Sequence, residues 1–183
     1  MSYYIFLAEG FEMIEALTVV DMLRRAKMEI HTVSISESDL VTSSHNVAVK
    51  ADMLFEDVDF AGSDMLILPG GMPGTKNLGA HKALTEQLVR FHQEGRKLAA
   101  ICAAPSVLGE LGILKGKRAT CYPGFEDKLE GAEFVKAPAV VDGNIITGRG
   151  MGAAIDFASA IITDAMGEAK AQEIQAGIMY QEV

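Results

Sequence analysis

Cys102 is the residue whose position in this chain most strongly suggests chemistry. It directly follows a short apolar run at 97–101 and precedes Pro105, a residue favoured in the first turn of a helix. A thiol between a strand and a helix N-terminus faces unpaired backbone N–H groups and the positive end of the helix dipole, and both favour the thiolate. The spacing therefore predicts a nucleophile of lowered pKa. A small buried core residue is the alternative, and it is the interpretation that we prefer for Cys121.

Carboxylates near the N-terminus could exchange a proton with that thiol. Glu9, Glu12 and Glu15 lie at or near the start of the first predicted helix. The helix dipole explains Glu12, because acidic residues are favoured in a first turn. Glu15 lies about one turn further along among apolar residues, where burial would raise its pKa and let a protonated carboxyl donate a hydrogen bond to a thiolate. A carboxylate that only complements the dipole is the alternative.

Two glycines follow the apolar run at 64–68. Gly70 and Gly71 could simply permit a turn. In the functional interpretation, their backbone N–H groups face the reaction centre and hold an oxyanion.

Nothing in the sequence indicates a metal or an organic cofactor. Residues 148–153 fit the spacing G-x-G-x-x-A of a dinucleotide-binding turn, but no strand with an acidic residue follows about 20 positions later. We therefore attribute these glycines to tight packing of the last helix. Two cysteines are too few for a disulfide framework or a zinc cage. The histidines show no metal-ligand spacing; they are His31, His45, His81 and His92.

Short apolar runs alternate with glycine-rich turns and longer stretches of helical period. Strands are predicted at 3–7, 30–35, 64–68 and 97–101, with a candidate fifth at 118–121 and hairpins at 41–49 and 140–146. Helices are predicted at 16–26, 82–94, 105–112, 153–166 and from 168 onward. The alternation predicts an α/β fold with a mostly parallel sheet covered by helices on both faces. Ligands of such sheets bind at the carboxyl ends of the strands, where the candidate residues lie.

Composition narrows the class of protein further. The chain has 183 residues, 16 basic against 25 acidic and a formal charge of −9, so it should repel nucleic acids. We expect one domain over residues 1–183. No apolar run approaches the roughly 20 residues that span a bilayer, and the N-terminus lacks the basic region of a signal peptide. A cytoplasmic protein without membrane contact is the expectation.

Six segments, taken in order, give the chain a specific resemblance. They are AEGFE at 8–12 with Glu15, VDMLRRA at 20–26, LPGG at 68–71, AICAAP at 100–105, YPG at 122–124 and GRG at 148–150. In these segments the chain resembles the ThiJ/PfpI superfamily, in the branch of the Parkinson-disease protein deglycase and its bacterial homologues. The resemblance implies a flavodoxin-like three-layer sandwich and a homodimer.

The resemblance also implies roles for individual residues. Cys102 would be the reactive cysteine, readily oxidised to sulfinic acid, with Glu15 as its protonated partner and Gly70 and Gly71 as oxyanion-binding amides. Glyoxalase, deglycase and chaperone activities are claimed in this branch. Ala103, beside the cysteine, is a candidate binding residue.

The chain departs from the family pattern at positions that would shape the pocket. Tyr122 stands where related branches often have a histidine, so a cysteine amidase or peptidase would lack its base. His45 stands where relatives carry an arginine near the cysteine. Both are candidate binding residues. Ala104 replaces a usual glycine, and Met151 a usual proline.

Two functions therefore compete. The first is a cofactor-free glyoxalase or deglycase in which Cys102 attacks a 2-oxoaldehyde such as methylglyoxal, or its adduct on a protein, and Glu15 moves a proton between carbons. The second is an oxidative-stress sensor or redox-regulated chaperone in which peroxide oxidises Cys102. We favour the enzyme, because two glycines beside the pocket would otherwise lack a purpose. Amide or peptide hydrolysis is disfavoured for want of a base.

Overall fold

A seven-stranded sheet forms the centre of the molecule in a computed structural model that describes residues 2–180. The strands are β1 (Ser2–Leu7), β2 (Glu29–Ser34), β3 (Leu40–Thr42), β4 (Ala48–Lys50), β5 (Met53–Leu54), β6 (Ser63–Leu68), β7 (Lys97–Ile101), β8 (Arg118–Ala119), β9 (Glu133–Phe134), β10 (Ala139–Asp142) and β11 (Ile145–Gly148). The central order is β10-β11-β7-β6-β1-β2-β5, and every pair except β10–β11 is parallel. The hairpin β3–β4 and the pair β8–β9 lie outside this sheet.

Helices cover both faces of the sheet. They are α1 (Met13–Arg25), α2 (Gly74–Ala80), α3 (Lys82–Gln93), α4 (Pro105–Glu110), α5 (Ala154–Met166) and α6 (Glu168–Gly177). Because side chains alternate along a strand, β1 serves two cores: Ile5 packs in the one with α1, α5 and α6, and Phe6 in the one with α2, α3 and α4. The side chains of Ile5 and Phe6 are both fully buried. The predicted α/β sandwich is therefore confirmed.

Most of the predicted elements are present. The short strands β5 and β9 were not predicted, and further differences concern β8, α2 and the last helix. The candidate fifth strand is only the short β8, and beyond it Thr120 N–H donates to the Thr147 hydroxyl (2.9 Å) instead of extending a backbone ladder. Helix α2 was not predicted, because its glycines at 74 and 79 hide the helical period. The predicted final helix ends at Gly177, and residues 181–183 lie outside the described residues.

Four neighbouring parallel strands bring the candidate residues to one edge. The carboxyl ends of β1, β6, β7 and β11 lie side by side and lead into α1, the glycine pair, Cys102 and Arg149. Close packing explains Gly148, since a Cβ there would lie 2.8 Å from Ile101 Cγ1. Within residues 2–180, no helix is both long and apolar enough to cross a bilayer, and no three His, Cys, Asp or Glu side chains are grouped as metal ligands.

Candidate active site

The backbone at Cys102 is strained and firmly held. Its φ is +65°, a left-handed conformation that costs a non-glycine residue on the order of 1–3 kcal/mol. Hydrogen bonds fix both sides of the residue: Cys102 N–H donates to Gly148 O (2.9 Å), and Tyr122 N–H donates to Cys102 O (2.8 Å). The chain then enters α4 at Pro105, as the sequence predicts. This sharp turn leaves the Cys102 side chain half-buried at the sheet edge.

Glu15 is a fully buried carboxyl in the first turn of α1. Its Oε2 accepts the Gly70 N–H at 2.9 Å, and its Oε1 has no hydrogen-bond partner among residues 2–180. Burial raises the pKa of Glu15 to about 7, and the negative charge of Glu12 adds to the rise. Contacts with the Cys102 thiol and the Gly70 amide lower the pKa, but by less than burial raises it. The prediction of a buried carboxyl with a raised pKa is confirmed.

Gly70 lets Glu15 and Cys102 approach each other. A Cβ on this glycine would lie 2.6 Å from Glu15 Oε2, 2.6 Å from Cys102 Cβ and 3.1 Å from Cys102 Sγ. No side chain fits at such distances. The carboxyl and the thiol therefore share the space that only a glycine leaves open.

The predicted lowering of the Cys102 pKa is wrong. Burial and the negative charge of Glu15 raise the pKa of the thiol, and the amides of Ala103 and Gly71 lower it by less. Helix α4 has only six residues, so its dipole gives little help. Burial thus raises the pKa of both groups, but the pKa of Glu15 stays the lower of the two. As the pH rises, Glu15 loses its proton first, near neutral pH.

The two glycine amides do not act as a pair. Gly70 N–H is already bound to Glu15, so the expectation that it holds an oxyanion is not supported in this arrangement. The amides that face the sulfur are those of Gly71 and Ala103. Gly71 adopts a φ of +90°, and a Cβ there would lie 2.3 Å from the Glu12 nitrogen. The two adjacent glycines therefore have different roles: the amide of Gly70 binds Glu15, and the amide of Gly71 faces Cys102.

The other candidate residues lie at different distances from the thiol. Ala103 is buried beside it, and Tyr122 is half exposed with its ring against Gly150. His45 is exposed and makes its contacts with the Ser44 hydroxyl (3.0 Å) and with Glu12 Oε2 (3.6 Å), so it reaches the pair only through Glu12. Cys121 is fully buried, in agreement with its predicted place in the core.

A cavity of about 540 Å³ is lined by Gly150 and Tyr122, two neighbours of Cys102, although Cys102 itself is not part of its lining. A Cβ on Gly150, in its lining, would lie 4.0 Å from Cys102 Sγ. Tyr122, Arg149 and Lys136 also line it. Sequence reasoning used Arg149 only as part of a motif and missed Lys136 altogether. The sequence did contain a signal for Arg149. This cation directly follows β11, the neighbour of β7, at the edge of the sheet where ligands bind.

The sequence is similar to that of a known protein family. A sequence model of the DJ-1/PfpI family matches residues 1–164. Protein DJ-1 homologs B and A from Arabidopsis thaliana are 35% and 36% identical over 95% and 96% of the chain, which spans only 40% and 45% of their lengths. A deglycase from Pyrococcus abyssi is 32% identical over 81% of this chain and 90% of its own.

Solved structures show the same similarity. Oxidised DJ-1 from Toxoplasma gondii superimposes with a TM-score of 0.94, at 34% identity and with 98% of both chains covered.

Proposed function

This chain belongs to the DJ-1/PfpI family, and from that premise we propose that it is a cysteine-dependent glyoxalase or deglycase that needs no cofactor. The observation that carries the proposal is the buried pair of Glu15 and Cys102 around Gly70, in which the carboxyl has a pKa of about 7. A general base is most effective when its pKa lies near the working pH. The deglycase among the relatives supports the reaction class.

The first step joins the thiol to the aldehyde. Cys102 Sγ forms a bond to the aldehyde carbon while its proton passes to the Glu15 carboxylate. The carbonyl electron pair moves to the oxygen, which then takes that proton and becomes the hydroxyl of a hemithioacetal. As the sulfur loses its negative charge, the amides of Gly71 and Ala103 are released to donate to the oxygen.

The second step moves a proton between carbons. Glu15, again ionised, removes the C–H proton of the hemithioacetal carbon, and the electron pair forms an enediolate with the neighbouring ketone. The hydroxyl proton crosses to the ketone oxygen, and Glu15 returns its proton to the neighbouring carbon, leaving a thioester. Water then cleaves the thioester to the 2-hydroxy acid and restores the Cys102 thiol. Methylglyoxal plus water thus becomes lactate, and a 2-oxoaldehyde adduct on a protein would be processed by the same proton movements.

The test follows lactate formation from methylglyoxal with purified protein. Cys102→Ser and Glu15→Gln should each lower kcat by at least about 100-fold, the usual loss when a nucleophile or general base is removed. Cys121→Ser, which changes the other, fully buried cysteine, is the matched control and should retain activity. Lactate formation that survives Cys102→Ser would refute the proposal.

A sensor of peroxide is the second candidate. The half-buried Cys102 and the oxidised form of the Toxoplasma gondii relative favour it. One peroxide would convert the thiol to sulfenic acid and water, and a second would give sulfinic acid. Lack of turnover with every aldehyde, together with a gain of two oxygens on Cys102 in mild peroxide, would favour the sensor over the enzyme.

We also propose that two copies of the chain associate. Ile14 and Leu17 are exposed on α1, at 44% and 38%, and Val47 is 43% exposed on the β3–β4 hairpin, which contacts the start of α1 through Ser44 and Glu12. Covering this apolar face would favour a homodimer. Sedimentation equilibrium should give twice the chain mass, and Leu17→Glu should shift it toward the monomer. A wild-type monomer at all concentrations would contradict the proposal.

A further inference from the structure

Two cations, Arg149 and Lys136, line the cavity next to Gly150, and the charge of Arg149 acts on the carboxylate of Glu126. Among residues 2–180, neither Arg149 nor Lys136 forms an ion pair. Arg149 donates one long hydrogen bond, from Nη1 to Cys121 O (3.4 Å), and its guanidinium lies 5.8 Å from the Phe134 ring centre. A guanidinium carries five N–H donors, so most of its capacity is unused.

Within residues 2–180, Arg149 and Lys136 share the lack of an ion pair with Lys27, Lys76, Lys115 and Arg118. The formal charge is −9, and acidic partners are plentiful. Four other arginines pair with a carboxylate; they are Arg24, Arg25, Arg90 and Arg96. Arg149 and Lys136 nevertheless line one cavity together, with Asp156 as the one carboxylate of its lining, and this excess of positive charge favours an anionic ligand.

The start of α5 also borders this cavity. Ala153, the N-cap of that 13-residue helix, lines the cavity. A 3-10 turn at Met151–Ala153 precedes the helix, and in it Ala153 N–H donates to Gly150 O (2.8 Å) and Ala154 N–H donates to Met151 O. Asp156 also lines the cavity and accepts a hydrogen bond from Tyr180 (3.0 Å), so one carboxylate stands against two cations. The lining by itself therefore carries one net positive charge.

Arg149 and Cys102 are joined through one peptide group. Tyr122 N–H donates to Cys102 O, and Arg149 Nη1 donates to the carbonyl of Cys121, the other side of the same peptide. Since the N–H and C=O of a trans peptide point in opposite directions, the guanidinium lies across this peptide from the backbone oxygen of Cys102. A cavity of about 540 Å³ also leaves most of its space unfilled by a three-carbon aldehyde.

We propose that Arg149, assisted by Lys136, binds a carboxylate of the substrate, so that the site prefers 2-oxoaldehydes or adducts that carry an acid group a few bonds from the reacting carbonyl. The part of this inference that concerns the reacting carbonyl rests on the proposed function, whereas the binding of a carboxylate by Arg149 does not. A guanidinium suits this task because it can bind both carboxylate oxygens at once.

The kinetic test compares 4,5-dioxopentanoate with its methyl ester. The acid takes up one water to give 2-hydroxyglutarate, by the same isomerisation that gives lactate. We expect kcat/KM to be about 10- to 100-fold higher for the acid, the value of a charge-assisted hydrogen bond. Arg149→Gln should bring the two substrates to within about threefold, mainly through KM, and Lys136→Met should have a smaller effect in the same direction. Arg118→Gln, which removes an exposed arginine that makes no ion pair among residues 2–180, should leave the preference unchanged.

A binding measurement separates this inference from the proposed function. Levulinate is a methyl ketone of the same length that cannot undergo the reaction, and its titration with the methyl ester as comparison can be followed by NMR. Tighter binding of levulinate that is lost in Arg149→Gln supports the carboxylate site even if no aldehyde is turned over. Equal binding of acid and ester by the wild-type protein overturns the inference, and so does turnover of methylglyoxal without any preference for the acid.

Discussion

Replacing Glu15 by glutamine should make the stability of the protein less dependent on pH. Burial raises the pKa of this carboxyl from an ordinary 4.5 to about 7. Between these values the unfolded chain has lost the proton and the folded chain keeps it, so the free energy of unfolding falls as pH rises. The stabilising contribution is complete below about pH 4.5 and is lost through about pH 7. At about 1.4 kcal/mol per pH unit the loss amounts to about 3 kcal/mol.

Glutamine is neutral throughout this range and can still accept the Gly70 N–H, so Glu15→Gln should escape that loss. Urea unfolding of both proteins from about pH 4.5 to about pH 8 should show the variant gaining about 3 kcal/mol relative to wild type. The Cys102 thiol adds little, because burial keeps its pKa above this range. Glu86→Gln, the same change at an exposed position of α3, should gain at most a few tenths of a kcal/mol. Parallel curves for Glu15→Gln and wild type would refute the burial argument.

Three further predictions concern the same site. Gly70→Ala should abolish activity and destabilise the fold by about 1–3 kcal/mol, because its Cβ would lie 2.6 Å from both Cys102 Cβ and Glu15 Oε2. The control is Gly79→Ala in α2, whose Cβ would meet its nearest neighbour at 3.5 Å. It should be neutral or stabilising in the same urea assay. Mild peroxide should add oxygen to Cys102 and not to the fully buried Cys121, and peptide mass spectrometry that finds the reverse would contradict the assignment. The pH profile of kcat/KM should rise through an apparent pKa near 7, since Glu15 must be ionised to accept the thiol proton; a profile flat from about pH 5 to about pH 9 would contradict its role as base.

The sequence predicted the fold and the location of the site because both depend on local patterns. Buried parallel strands appear as short apolar runs, and β7 was predicted at its observed bounds of Lys97–Ile101. The alternation of such runs with helices orders a sheet whose carboxyl ends meet at one edge. Cys102 was recognised as the strand-to-helix residue from its neighbours alone. Helix α2 was missed because glycines interrupt its period, and β5 and β9 were missed because two residues are too few to show one.

Local patterns could not give the balance of charges at that edge. A helix start beside Cys102 suggests a low pKa, yet the pKa of a buried thiol also depends on solvent access and on a carboxyl that is 87 residues away along the chain. The same holds for Gly70, whose amide is bound by Glu15, and for Arg149, which forms no ion pair with any residue from 2 to 180. The sequence by itself determined which side chains reach one edge of the sheet. Which of them share a proton, and which keep their charge unpaired, was decided by the tertiary structure, because burial and distance set electrostatic energies.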